Sequence, residues 1–130
     1  MKLLLDTYAF LWYISNDPRL PDYAYDAIRD KSNEVYLSVV SVWEILVKNQ
    51  IGKLPLPAPA DEFIESSRSA HRIEDLSLDR QAVSHLSLLP MHHRDPFDRM
   101  LICQALNHDL TIVTTDQWFN RYTAKILMPA

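Results

Sequence analysis

Of 130 residues, one is cysteine and one is glycine. A lone Cys103 excludes an internal disulfide and a cysteine-based metal finger, and it suits a reducing compartment such as the cytoplasm. Long apolar runs are also missing. Met1-Lys2-Leu3-Leu4-Leu5 imitates the start of a secretion signal, but Asp6 interrupts it after three leucines, and no later stretch could span a bilayer. Positive charge is in deficit: 13 Lys and Arg stand against 17 Asp and Glu, a formal net charge of −4. That argues against holding nucleic acid on a broad basic face. It leaves room for negative charge gathered around a cation, whose own charge would invert the local field. Repeats and low-complexity tracts are absent, and 48% apolar against 23% charged residues is the balance of a globular domain. The length fits one domain, residues 1–130.

Three short apolar or β-branched segments read as strands: residues 2–5, 35–38 and 111–114. A last strand is expected at 126–128 and a weaker one near 72–76. Helical patterns lie between them at 8–15, 22–30, 42–50, 60–71, 79–86 and 96–107. This alternation argues for an α/β domain with a mainly parallel sheet. Pro55, Pro57 and Pro59 make residues 53–59 a stiff, extended connection between two helices.

Four acids stand at element boundaries. Asp6 ends the first strand, Glu44 sits in the first turn of the expected helix 42–50, Asp98 in the first turn of 96–107, and Asp116 follows 111–114. Each has an ordinary structural explanation. Asp6 and Asp116 suit helix N-caps. Ser41-Val42-Trp43-Glu44 fits a capping box, and Lys48 is placed for a surface ion pair with Glu44. Asp95-Pro96-Phe97-Asp98 is a helix start, with Asp95 capping and Asp98 near the positive end of the dipole.

Two features outweigh these explanations. On a helical wheel Leu101, Ile102 and Ala105 fall within about 60° of Asp98, so its carboxylate leaves from a face that should be buried. A buried carboxylate must be neutralised, paired or bound to metal. The four acids also converge, since strand ends and helix starts of an open α/β sheet meet at its carboxyl edge, where ligands bind. Four carboxylates in one crevice repel one another unless a divalent cation lies among them. All-oxygen donors select Mg²⁺ or Mn²⁺ over zinc.

Leu3-Leu4-Leu5-Asp6-Thr7, Ser41-Val42-Trp43-Glu44-Ile45, Asp95-Pro96-Phe97-Asp98-Arg99-Met100-Leu101-Ile102 and Thr114-Thr115-Asp116 resemble, in order and spacing, the signature of PIN-domain nucleases, most of all the bacterial VapC-like group. The resemblance runs from Met1 to about Met128. It implies a five-stranded parallel sheet of order 3-2-1-4-5 with helices on both faces, making Asp6 and Asp116 neighbours at the switch point. It implies Asp6, Glu44 and Asp98 as metal-holding acids, Asp116 as a more variable fourth, and Thr114 as a supporting hydroxyl. The activity it implies is Mg²⁺- or Mn²⁺-dependent cleavage of RNA by the toxin of a toxin–antitoxin pair. The partners it implies are a homodimeric copy and a small antitoxin. Apart from the resemblance, the helices flanking residues 53–59 are the candidate docking surface for the antitoxin, since the stiff proline connection would hold them apart as a groove.

Arg94 and Arg99 flank the expected crevice as candidate phosphate contacts, with a surface role for Arg99 or a pairing to Asp95 as the alternative. His92 and His93 could be metal ligands or phosphate contacts, but adjacent histidines point in different directions and have no i, i+4 partner, so a solvated loop is the favoured reading. Tyr8, Phe10, Trp12 and Tyr13 could offer a stacking platform, though helical spacing favours core or subunit interface. A phosphorylation receiver domain shares acids at strand ends, but the paired acid and late lysine it needs are not visible. A catalytically silent interaction module of the same fold is opposed by the complete acid set.

Overall fold

The computed structural model describes residues 1–129. Five parallel strands form one sheet of order β3-β2-β1-β4-β5: β1 is Lys2–Leu5, β2 Glu34–Ser38, β3 Glu74–Leu76, β4 Thr111–Val113 and β5 Lys125–Ile126. The helices are α1 Thr7–Ile14, α2 Asp22–Arg29, α3 Val39–Gln50, α4 Ala60–Ala70, α5 Arg80–Ser84 and α6 Pro96–His108. The expected order and helix set are those observed, with strand ends displaced by a residue or two. Two 3₁₀ turns, His85–Leu88 and Gln117–Arg121, were not expected.

The three leucines of β1 explain its central place. A strand covered on both faces has no polar alternation. Leu3 and Leu5 point into a core shared with Phe10, Leu37, Ile45 and Val113, whereas Leu4 points into an opposite core with Leu101, Ile102, Ile112 and Phe119. Leu5 is in register with Leu37 on one side and Val113 on the other. The chain directly after Leu5 and Val113 therefore emerges at one edge of the sheet, where strand order reverses.

One boundary differs in a way that matters. α3 begins at Val39, not Val42, because Ser38 caps it, its hydroxyl accepting from the Val40 amide at 3.0 Å. Strand and helix follow each other without a loop. Ser41 is not a cap; it is fully buried, 3.0 Å from the Thr7 hydroxyl. Glu44 consequently lies in the second turn of α3, on its inward side. Residues 53–59 form neither helix nor strand, as expected. They do not hold α3 and α4 apart, however. Those helices pack directly, with Ile45 and Ile64 in one core and Leu54 and Leu56 of the connection folded against it.

Candidate metal centre

Each acid at the carboxyl edge is positioned by local chemistry. Asp6 follows β1, and its Oδ1 caps α1 by accepting from the Ala9 amide at 2.7 Å. Its Oδ2 accepts from the Thr114 hydroxyl, which in turn accepts from the Asp116 amide at 3.0 Å. Thr114 thus ties the acid after β1 to the acid after β4. Asp116 caps the 3₁₀ turn that follows, accepting from the Trp118 amide at 3.0 Å. Asp95 caps α6 through the Phe97 and Asp98 amides, and Pro96 occupies the first helical position where its missing N–H costs nothing. That start turns Asp98 inward, leaving its side chain 16% exposed.

Asp6, Glu44, Asp98 and Asp116 line one crevice of about 390 Å³, together with Thr7, Tyr8, Trp12, Lys48, His93, Asp95 and Thr115. Glu44 is buried. The Thr7 hydroxyl donates to its Oε1 at 2.5 Å and the Lys48 ammonium to its Oε2 at 2.6 Å. Lys48 also reaches the Tyr8 hydroxyl at 3.3 Å, so its pair with Glu44 is an element of the crevice, not the surface ion pair expected. Burial pulls the Lys48 ammonium down, but the bonds to Glu44 and Tyr8 outweigh it and hold it above the usual range.

The electrostatics record the crowding. Burial raises the Asp6 carboxyl to about 6 against the bonds from Thr114 and Ala9, and Glu44 and Asp116 push the same way. Burial raises Asp98 to about 7; the His93 contact opposes this, and Asp95, Glu44 and Asp6 add to it. Carboxyls that resist ionisation because they share a dry site are prepared for a positive charge. Carboxylate oxygens are also the hard donors that Mg²⁺ and Mn²⁺ take. The residues therefore fit such an ion.

His93 is not the solvated loop residue expected from the sequence; it is half-buried at the crevice. Its Nε2 lies 2.9 Å from Asp98 Oδ2, and its ring stacks on Trp118 at 5.9 Å with planes 7° apart. The only local signal was its place five residues before Asp98, in a loop without periodicity. His92 lies instead edge-on to Tyr122. Arg99 does not face the crevice. It is buried, with Nη1 donating to the Pro90 carbonyl at 2.8 Å and lying 3.3 Å from the Tyr122 hydroxyl and 3.5 Å from the His93 carbonyl. It ties residues 89–93 down, which replaces both the phosphate contact and the surface role expected of it. Arg94 is exposed beside His93 and Trp118, next to the crevice but not in it. Of the aromatic group, Phe10 is core, whereas Tyr8 and Trp12 form a ledge on the crevice with ring centroids 6.0 Å apart.

A doubly wound parallel sheet with carboxylates gathered at its switch point defines an α/β protein with an acidic, cation-ready crevice. The PIN domain profile matches residues 3–125, and the chain belongs to the PIN domain family. It is 30% identical over 75 residues to Ribonuclease VapC16 of Mycobacterium tuberculosis (strain ATCC 25618 / H37Rv), a match spanning 52% of this chain and about half, 53%, of that protein. In three dimensions it is similar to VapBC2 from Rickettsia felis bound to a DNA fragment from their promoter, with TM-score 0.70, 18% identity and 98% of each chain covered. It is also similar to DNA-bound VapBC from Salmonella typhimurium, with TM-score 0.67 and 20% identity over 98% of this chain and 97% of that one. At those identities the structural likeness speaks for the fold.

Proposed function

We propose that this chain, as a single PIN domain, is a ribonuclease dependent on Mg²⁺ or Mn²⁺ and the toxin of a toxin–antitoxin pair. The observation that carries the reading is the set of four carboxylates lining one crevice, two of them pushed well above their ordinary range by burial and mutual repulsion. Asp6, Glu44, Asp98 and Asp116 would hold the ion. Held there, a divalent cation would supply positive charge to the scissile phosphodiester and activate a water as nucleophile. The protein's own contribution is orientation. Ala9 and Thr114 fix both oxygens of Asp6, Thr7 and Lys48 fix both of Glu44, and Asp95 sets the helix start that aims Asp98. Lys48 adds a fixed cation at the crevice wall, and the Tyr8–Trp12 ledge offers faces on which unpaired bases stack.

RNA as substrate rests on the likeness to Ribonuclease VapC16. A small antitoxin rests on the VapC-like resemblance and the VapBC complexes of similar fold, and a homodimeric arrangement on that resemblance alone. Among the described residues no helix is long and apolar enough to cross a membrane, and with the single cysteine this supports a cytoplasmic setting. Incubating the chain with end-labelled single-stranded RNA tests the reading. Cleavage should require Mg²⁺ or Mn²⁺, stop with chelator, and fall to near background in Asp6→Asn and Asp98→Asn. Cutting that persists in chelator and in both variants would refute it.

A further inference from the structure

We propose that His93 is itself a metal ligand, forming with Asp98 and Asp116 a mixed nitrogen–oxygen site that prefers Mn²⁺ to Mg²⁺. The inference rests on the metal-dependent reading above and adds to it a donor of a different chemical kind. One ligand atom from each of His93, Asp98 and Asp116 can be chosen so that all three lie within 4.8 Å of one another. Adjacent donors around an octahedral ion with bonds of about 2.1 Å stand roughly 3.0 Å apart. The 2.9 Å between His93 Nε2 and Asp98 Oδ2 is such an edge. An ion seated there replaces that hydrogen bond with two coordinate bonds and leaves the surrounding chain in place.

The imidazole is held by a stack on its ring and by bonds that fix the segments around it. Its ring stacks on Trp118, whose other contacts include the Arg121 guanidinium 4.2 Å from the ring centroid. The Trp118 amide is bound to Asp116, the third ligand of the set. The His93 carbonyl and the Pro90 carbonyl before it face the buried Arg99 guanidinium. Metal-binding histidines need their ring orientation fixed by neighbours, because a freely rotating ring loses entropy on binding. For His93 the stack on Trp118 sets the ring plane before any ion arrives. Its donor is also softer than a carboxylate. Mg²⁺ gains little by exchanging water for imidazole, whereas Mn²⁺, a first-row transition ion, accepts nitrogen readily.

The experiment uses the tag-free chain and Mn²⁺ itself, followed by electron paramagnetic resonance and by calorimetric titration of Mn²⁺ and Mg²⁺. Pulsed resonance should detect a directly bonded ¹⁴N on protein-bound Mn²⁺. That coupling should vanish in His93→Ala and His93→Gln and persist in His92→Ala. Replacing His93 should also lower the ratio of Mn²⁺ to Mg²⁺ affinity by roughly tenfold. His93→Gln keeps a planar polar side chain of similar reach, so Mn²⁺ bound without nitrogen coupling in that variant separates lost ligation from lost packing. Wild-type protein that binds Mn²⁺ without nitrogen coupling, or coupling that survives in His93→Ala, overturns the assignment while leaving the carboxylate centre standing. Wild type that binds neither ion overturns both readings.

Discussion

Neutralising Asp98 should stabilise the metal-free protein at neutral pH, the reverse of what removing a helix-start charge normally does. Burial, with repulsion from Asp95, Glu44 and Asp6, lifts this carboxyl from 3.8 to about 7, the His93 hydrogen bond notwithstanding. The folded chain therefore holds the proton over a pH range in which the unfolded chain has lost it. Stability from this group is fully present below about pH 4 and declines as pH rises to about 7. At 1.36 kcal/mol per pKa unit the whole decline is of the order of 4 kcal/mol. Because Asp6 and Glu44 share the same repulsion, we expect Asp98→Asn alone to recover about half, roughly 2 kcal/mol. The asparagine oxygen can still accept from His93. For a domain of this size about 2 kcal/mol corresponds to a melting point raised by roughly 6–10 °C.

The assay is thermal unfolding of wild type and Asp98→Asn between pH 5 and pH 8 in chelator, then with Mg²⁺ or Mn²⁺. The variant should melt higher at pH 8, and the gap should narrow toward pH 5, where wild type carries its own proton. Taking the difference between the two proteins removes the histidines that do not touch Asp98 from the comparison. Added ion stabilises only the form that binds it, by about 2.7 kcal/mol at a hundredfold excess over Kd. Wild type should therefore gain and the variant gain much less. The reasoning fails if the variant melts lower in chelator, by the up to about 1 kcal/mol of a lost dipole interaction, while wild type ignores the ion. Asp98 would then be an ordinary helix-start charge.

Two further substitutions separate positioning from chemistry. Asp95→Ala removes both capping bonds of α6 and should cost about 1 kcal/mol in denaturant unfolding, with the ion-dependent stabilisation retained. Arg99→Met leaves the carbonyls of residues 89–93 without their donor and should lower stability by about 3 kcal/mol. A phosphate-contacting arginine would instead weaken RNA binding and flatten its salt dependence at unchanged stability.

Much of the fold and three of the four acids were legible because the signals are local. The unbroken apolar run of β1 says that both its faces are covered. Asp6 and Asp116 stand one and three residues past strands, and Asp95-Pro96 marks the start of α6 unambiguously. Asp98 was placed on an inward face by periodicity alone. Glu44 was found for a partly mistaken reason. Ser41-Val42-Trp43-Glu44 satisfies a capping pattern, yet Ser38 caps the helix three residues earlier and Ser41 packs against Thr7. Helical phase still turned Glu44 inward, so an error in the boundary did not become an error in the crevice.

The sequence by itself determined the strand and helix order, the caps and the inward-facing acids, because hydrogen bonds at helix ends and side-chain periodicity act over one to four residues. Only the tertiary structure decided where the charged side chains spend their bonds. Lys48 enters the crevice because Tyr8 of α1 packs beside α3; Arg99 is buried because residues 89–93 fold over it; and the His93 ring is oriented by Trp118, which follows β4. A long side chain in a loop or on a helix flank has no preferred partner of its own. Its surroundings are set by segments brought together across the sheet, and that desolvation and pairing determine whether it titrates, binds or merely holds the chain in place.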